Sequence, residues 1–232
     1  MGDNSMKFNI EKYLVLGQEN TNNRPVESIV EQAIKAGFTF IQIRSKTSTA
    51  KELIECCKKT ADIIKKLKKE QEVALVVDDR LDIVLACREA GIKVDGIHIG
   101  QSDIPVEVCR KYLGKDSIIG LSAPTKDLIE YVKKIDISQI DYFGAGPVHP
   151  TQTKPDCGLD KSSGKIIIRT LEELTELAKI SPLPIVVGGG VKKNDIKQIK
   201  NTGISGFFVV SAITNAEDPY NAAKELVEEW DN

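Results

Sequence analysis

Short apolar runs alternate with longer amphipathic segments along most of the chain. Eight of these runs are rich in β-branched and aromatic residues, which is typical of buried strands. They cover residues 12–17, 39–44, 74–79, 96–100, 117–123, 141–146, 184–190 and 206–213. The segments between them repeat apolar residues with a helical period; in residues 51–69, for example, Leu53, Cys57 and Ile64 share one face.

The order of these elements predicts the fold class. Strands that alternate with helices form parallel pairs joined by right-handed crossovers. Eight such units in 232 residues match a single-domain α/β fold, the (β/α)8 TIM barrel, which needs about 200 to 250 residues. An open doubly wound sheet is the alternative. Because no linker or change in composition divides the chain, we expect one domain over residues 1–232, with residues 1–11 as an N-terminal extension.

Composition and charge narrow the range of functions. The formal net charge is −2 at pH 7 and both signs are interspersed, so no basic stripe suits nucleic acid. The apolar runs are far shorter than the about 20 residues that span a bilayer, and the first residues do not resemble a signal peptide. The five cysteines form no C-x-x-C motif, and we interpret them as reduced thiols. We expect a cytoplasmic protein that binds small molecules, without nucleic-acid or membrane partners; a homo-oligomer is compatible with the pattern.

Polar side chains collect where the predicted strands end. Gln42 and Arg44 share one face of the second run, opposite Ile41 and Ile43, so we expect the polar pair to point into the barrel and the aliphatic pair to pack beneath the helices. All strand ends of one sense meet at one rim of a barrel, where the active sites of this fold form. The other candidates at this rim are Ser45, Lys46, Asp78, Asp79, Asp103, Ser122, Thr151, Gln152, Thr153, Lys154, Gly189, Gly190, Val210 and Ser211.

Three consecutive glycines, Gly188 to Gly190, end the seventh run. Glycine lets a phosphate approach the backbone N–H groups, and the loops after strands seven and eight form the common phosphate site of this fold. Val210 and Ser211 lie on the neighbouring run, so we expect one phosphate to bind there. A tight turn without a ligand is the simpler alternative.

Two carboxylates predict a second phosphate site that includes a metal ion. Asp79 and Asp103 follow adjacent strands, which places them about 5 Å apart, and at that distance they repel unless a cation binds. Mg²⁺ prefers one or two carboxylates together with substrate phosphate oxygens. Arg44, Lys46 and Lys154 add positive charge nearby, which suits a diphosphate–metal complex. Taken singly, Asp79 could instead cap a helix.

In combination these motifs resemble the thiamine phosphate synthase family. The matching segments are Q-x-R-x-K at 42–46, D-D at 78–79, D-G-I-H-I-G-Q-x-D at 95–103, G-L-S-A at 120–123, G-P-V-x-P-T-x-T-K at 146–154, the glycines after strand seven and V-V-S-A-I at 209–213. They occur in family order from about residue 12 to residue 220. The resemblance implies an enzyme that joins 4-amino-2-methyl-5-(diphosphooxymethyl)pyrimidine to a hydroxyethylthiazole phosphate, with loss of pyrophosphate and formation of thiamine monophosphate.

The resemblance also implies a role for each residue that matches a motif. Mg²⁺ would be held by Asp79 and Asp103. The catalytic residues would be Arg44, Lys46, Ser122 and Lys154. The substrate-binding residues would be Gln42, Ile43, Arg44, Ser45, Lys46, Asp78, Ser122, Thr151, Gln152, Thr153, Lys154, Gly189, Gly190, Val210 and Ser211. Apart from the resemblance, the Gly- and Ser-rich composition of residues 155–165 favours a mobile lid over the site, with a plain disordered loop as the alternative.

The chain departs from the family pattern at a few positions. Asp78 stands where the family usually has Asn, and an ionised carboxylate cannot donate a hydrogen bond and repels diphosphate. Ser45 and His149 replace a common Glu and a common apolar residue. We interpret His98 and His149 as packing or hydrogen-bonding residues. Two other functions stay open: a thiazole tautomerase, which would lack the diphosphate apparatus, and a non-catalytic phosphate-binding barrel.

Overall fold

A computed structural model describes residues 8–153 and 157–232 of the chain. The strands are β1 (Lys12–Leu16), β2 (Phe40–Ile43), β3 (Ala74–Asp78), β4 (Gly96–Ile99), β5 (Ile118–Ser122), β6 (Tyr142–Ala145), β7 (Leu159–Asp160), β8 (Lys165–Ile166), β9 (Ile185–Gly188) and β10 (Gly206–Val209). The helices are α1 (Val26–Ala36), α2 (Ala50–Lys66), α3 (Leu81–Glu89), α4 (Val106–Leu113), α5 (Leu128–Lys134), α6 (Leu171–Ile180), α7 (Lys193–Asn201), α8 (Ser211–Thr214) and α9 (Pro219–Asp231), with a 3₁₀ turn at Gln18–Asn20.

The described part of the chain forms a closed parallel barrel, so the predicted TIM barrel is confirmed. Its strands follow the order β1-β2-β3-β4-β5-β6-β9-β10, and β10 pairs with β1 to close the ring. The short strands β7 and β8 stand apart as an antiparallel hairpin. This hairpin overlaps the segment 155–165 predicted to be a lid and extends one residue beyond it; residues 155 and 156 lie outside the described residues.

The prediction for the last strand was wrong at its end. Residues 206–213 were expected to form one strand, but β10 stops at Val209 and Ser211 begins the short helix α8. The apolar residues run on from β10 to Ile213, so periodicity over so few residues does not show where the strand ends. Ser211 is therefore presented by a helical turn above the barrel.

Two apolar layers hold the fold together. The larger lies between the strands and the helices and includes Ile41, Ile43 and the buried face of α2. The smaller fills the barrel and includes Tyr13, Phe40 and Tyr142. The alternation along β2 thus has the expected result, because Gln42 lies on the inner face and is only 4% exposed.

The N-terminal extension contributes to the inner layer. Ile10 is 1% exposed, and the Phe8 ring packs edge-on against Phe40 at 5.6 Å. Both residues precede β1 and close the amino-terminal end of the barrel. In the predicted N-terminal extension, the segment before β1 from Phe8 onward thus packs against the barrel; residues 1–7 lie outside the described part.

Helix starts follow local sequence signals. Pro25 and Pro105 stand at the N-caps of α1 and α4, and Pro219 is the first residue of α9, positions at which a missing N–H costs little. Thr49 caps α2 and exchanges hydrogen bonds with Glu52. None of the helices in the described ranges is long and apolar enough to cross a membrane.

Candidate active site

The carboxyl-terminal ends of the barrel strands form the mouth of the barrel, where a group of charged side chains meets. Lys46 contacts the carboxylates of Asp78 and Asp79, with Nζ 3.1 Å from Asp78 Oδ2. Arg44 Nε lies 3.3 Å from the same Asp78 oxygen. Asp78 thus pairs with both cations while its side chain is only 10% exposed. The structure brings together four of the side chains that the sequence placed at this rim.

Asp103 completes this group. Its carboxyl group lies within hydrogen-bonding distance of Asp79, and its Oδ2 accepts a hydrogen bond from the Gly100 N–H at 2.8 Å. Burial, and next the neighbouring Asp79, raise the pKa of Asp103 above its ordinary value. Asp79 does not cap α3, whose N-cap is Arg80. The paired carboxylates are therefore available to a ligand at the mouth.

The donor set at the mouth fits Mg²⁺ that arrives with a phosphate. The carboxylates of Asp79 and Asp103 are the hard oxygen ligands this ion prefers. Within residues 8–153 and 157–232, no cluster of three or more His, Cys, Asp or Glu side chains could hold a metal. Two carboxylates suffice for Mg²⁺ when phosphate oxygens and water supply the other ligands. The geometry suits an ion shared with substrate better than one held by protein alone.

A separate cavity of about 810 Å³ opens at the same mouth. It lies among the loops that follow β6, β9 and β10, and its volume is in the range of small-molecule sites. Polar and backbone groups from all three loops face it. Among its lining residues are Thr151, Thr153, Gly190 and Ser211, which are sequence candidates for the thiazole phosphate site, and Gln152, a candidate substrate-binding residue.

The glycines after β9 allow two loops to approach each other closely. Gly189 and Gly190 have φ of +88° and +71°, which disfavours a side chain. A Cβ on Gly190 would lie 2.8 Å from His149 Cβ, and one on Gly189 would lie 2.7 Å from Pro147 Cβ. The His149 N–H donates to the Gly189 carbonyl at 3.0 Å. Close backbone contact, and not only the turn, thus requires glycine here.

Sequence reasoning missed several polar residues of this cavity. His149 Nε2 lies 2.9 Å from Asp195 Oδ1, so this histidine makes a hydrogen bond as expected, but at the cavity wall. Lys192, Asn194 and Asn215 also line the cavity. The available signal was the polar segment K-K-N-D at 192–195, which follows the three glycines and Val191 and therefore lies beyond the end of the strand.

A chain of hydrogen bonds runs through the barrel interior to Ser122. The Gln42 Nε2 group donates to Tyr13 Oη at 2.7 Å, and Tyr13 Oη lies 2.8 Å from Tyr142 Oη. His98 Nδ1 is 2.8 Å from Tyr142 Oη, and His98 Nε2 is 2.9 Å from Ser122 Oγ. Gln42 and Ser122, two candidates for pyrimidine binding, are thus connected through side chains.

The remaining candidate residues that the structure describes lie outside both the charged group at the mouth and the hydrogen-bonded chain. Ile43 is fully buried beneath the helices, so its side chain is not presented to the mouth and only its backbone could contact a ligand. Ser45 Oγ is 2.8 Å from Ser48 Oγ, within the loop after β2. Val210 precedes α8 and packs against the inner layer of the barrel. Lys154 lies outside the described residues, and its place in the site stays a prediction.

The fold and the mouth define a class of protein, the single-domain (β/α)8 barrels with charged and glycine-rich loops at the carboxyl-terminal rim. Within that class, the family model of thiamine monophosphate synthase matches residues 12–213. The chain belongs to this family.

Individual relatives agree with that assignment. A thiamine-phosphate synthase from Clostridium tetani is 36% identical over 92% of this chain and 92% of its own length. One from Clostridium novyi is 37% identical over 95% of this chain and 98% of its own. Among solved structures, a thiamine phosphate pyrophosphorylase from Pyrococcus furiosus superposes with a TM-score of 0.75 at 28% identity, over 95% of each chain.

Proposed function

We propose that the protein is a thiamine phosphate synthase that joins the pyrimidine diphosphate to the thiazole phosphate and releases pyrophosphate. The observation that supports this proposal is a charged group of side chains and a separate cavity at one mouth, which we interpret as two phosphate sites. One contains Arg44, Lys46 and the carboxylates of Asp79 and Asp103, and the other is the glycine-walled cavity. Two phosphorylated substrates require two such sites side by side. The family membership supports the same reaction.

The chain's own residues would act mainly by charge and position. Arg44 and Lys46 would neutralise the negative charge that develops on the departing pyrophosphate, which is electrostatic catalysis. Thr151, Gly190 and Ser211 would hold the thiazole phosphate so that the ring nitrogen faces the reacting carbon, at about 3 to 3.5 Å. Mg²⁺, held by Asp79 and Asp103, would supply further stabilisation of the leaving group. Lys154, by resemblance to the family, would add a cation to the diphosphate.

Incubation of the purified chain with both substrates and Mg²⁺ tests the reaction. We expect mass spectrometry to detect thiamine monophosphate, with one pyrophosphate released for each molecule formed. Isomerisation of the thiazole phosphate without release of pyrophosphate would instead indicate a tautomerase. Binding of thiazole phosphate without any product would indicate a non-catalytic barrel. The paired carboxylates and the two cations at the mouth have no evident use in either alternative, so we favour the synthase.

The Asp78→Asn substitution tests the electrostatics of the diphosphate site. Asp78 pairs with Arg44 and Lys46, so its charge competes with the diphosphate for the same cations. We expect the KM for the pyrimidine diphosphate to fall about three- to tenfold, since partly buried pairs contribute on the order of 1 kcal/mol. The KM for the thiazole phosphate should not change.

Asp82→Asn is the control, because Asp82 pairs only with Arg80 in the described structure and its side chain is 62% exposed. Equal KM values for Asp78→Asn and the control would contradict this interpretation.

Three further properties stay predictions from the sequence. They are the cytoplasmic location, assembly into a homo-oligomer, and movement of residues 155–165 as a lid.

A further inference from the structure

The barrel interior contains a hydrogen-bonded chain that ends at Ser122, and nothing in the charge-based mechanism above uses it. We define the interior chain as Gln42, Tyr13, Tyr142, His98 and Ser122. Its members come from β1, β2, β4, β5 and β6, and consecutive members are 2.7 to 2.9 Å apart. Tyr13 and Tyr142 are 2% and 0% exposed, so the middle of the interior chain is closed to solvent.

Two glycines make room for this chain. His98 of β4 is level with Gly120 of β5, and Gly120 is level with Tyr142 of β6. Because Gly120 has no side chain, the rings of His98 and Tyr142 stack across it, with their centroids 5.5 Å apart. A Cβ at Gly120 would lie 2.1 Å from Tyr142 Cζ, and one at Gly144 would lie 3.0 Å from His98 Cε1. The positions of both rings therefore depend on glycine at these two neighbouring positions.

The donor and acceptor groups available along the interior chain bear on which member of each pair donates its hydrogen bond. The Gln42 amide nitrogen can only donate, so Tyr13 Oη accepts from it. Burial raises the pKa of Tyr13 and of Tyr142, so both phenols keep their protons. Either phenol could donate at the contact between Tyr13 and Tyr142; the direction that continues from Gln42 has Tyr13 donate to Tyr142 Oη and Tyr142 donate to His98 Nδ1. A neutral imidazole that accepts at Nδ1 has its proton on Nε2, which faces Ser122 Oγ.

We propose that His98 is a positioning residue that fixes the Ser122 hydroxyl as a hydrogen-bond donor to the pyrimidine substrate. With a lone pair of Ser122 Oγ occupied by the His98 Nε2–H, the Ser122 hydrogen points away from His98, toward the mouth. Ser122 ends β5 at the mouth, where an acceptor atom of the pyrimidine diphosphate meets it. The contact between Ser122 and the pyrimidine rests on the proposed function. The direction of the hydrogen bonds in the interior chain does not depend on it.

Nuclear magnetic resonance of the ¹⁵N-histidine-labelled full chain tests the direction without substrate. The chain has two histidines, so the His98→Gln variant identifies the His98 signals. We expect a neutral ring with the proton on Nε2 and a bare Nδ1. A proton on Nδ1, or on both nitrogens at neutral pH, would overturn the proposal. This measurement locates the proton on the His98 ring even if the protein proves not to form thiamine monophosphate. The two proposals can therefore fail separately.

Kinetics test whether His98 acts through Ser122. We expect His98→Ala to lower kcat about 10- to 100-fold, because loss of a buried hydrogen bond costs about 1 to 3 kcal/mol, with a KM for thiazole phosphate unchanged within about twofold. In a Ser122→Ala background the same substitution should cause no further loss. Independent, additive losses in the double variant would contradict a positioning role.

Two conservative variants of His98 distinguish loss of its hydrogen bond from loss of packing. The Gln amide nitrogen can reach the place of Nε2, whereas that of the shorter Asn reaches only the place of Nδ1. We therefore expect His98→Gln to recover part of the lost kcat and His98→Asn to recover none. Tyr142→Phe keeps the stacked ring but removes the group that directs Nδ1, and it should lower kcat about tenfold. Equal activity of the Gln and Asn variants would show that the ring serves packing alone.

Discussion

Replacement of Asp103 by Asn should lower Mg²⁺-dependent turnover by about 100-fold or more, while thiazole phosphate binding stays within about twofold of the original. Asp103 and Asp79 present the paired carboxylates at the mouth, and a metal ion supplies several kcal/mol of stabilisation to a departing phosphate. Asn keeps an oxygen that can accept the Gly100 N–H, so the local fold should persist. Steady-state rates over a Mg²⁺ titration, together with calorimetric binding of thiazole phosphate, measure both effects.

Asp82→Asn serves as the control for this substitution. It removes a carboxylate of the same charge near the mouth, but Asp82 is exposed and its described ion pair is with Arg80. We expect its turnover and Mg²⁺ dependence to be unchanged. If Asp103→Asn lowered turnover and thiazole phosphate affinity by the same factor, the division of the mouth into a metal-assisted site and a separate cavity would be wrong.

Replacement of Gly190 by Ala should weaken thiazole phosphate binding by about 10- to 100-fold. The new Cβ would lie 2.8 Å from His149 Cβ and 2.9 Å from the His149 carbonyl oxygen, so the two loops that wall the cavity must separate. The φ of +71° adds about 1 to 2 kcal/mol of backbone strain. Affinity for the pyrimidine diphosphate should change less, because Arg44 and Lys46 lie on the loop after β2 and only Lys154 follows the displaced loop after β6. Calorimetry with each substrate separately measures the two affinities.

Gly203→Ala separates backbone strain from the effect on the cavity. Gly203 has a φ of +85°, close to that of Gly190, but its added Cβ would lie 3.5 Å from Ala178 Cβ, an ordinary contact. It precedes β10, at the end of the barrel opposite the mouth. We expect it to lower the free energy of unfolding by about 1 kcal/mol and to leave both substrate affinities unchanged. If Gly203→Ala weakened thiazole phosphate binding as much as Gly190→Ala, general destabilisation would explain both.

The errors in the sequence analysis have local causes. The predominantly apolar residues 206–213 concealed the change from β10 to α8, because the run is too short for its period to separate a strand from a helical turn. The β7–β8 hairpin was not predicted, since its strands are two residues long and its turn depends on Asp160, which contacts Ser162 and the distant Lys126. Contacts of that kind leave no periodic signal in the segment itself.

The sequence alone determined the alternation of strands and helices, the starts of several helices and the polar residues that follow the strand ends. These features depend on period, capping and strand ends, all of which are set by residues close together in the chain. Tertiary structure alone decided which buried polar side chains meet inside the barrel, such as Tyr13 with Tyr142 across 129 positions of sequence. The physical reason is closure of the barrel, because the register of neighbouring strands fixes the level of each side chain and the absence of a Cβ at Gly120 decides whether the rings of His98 and Tyr142 can touch.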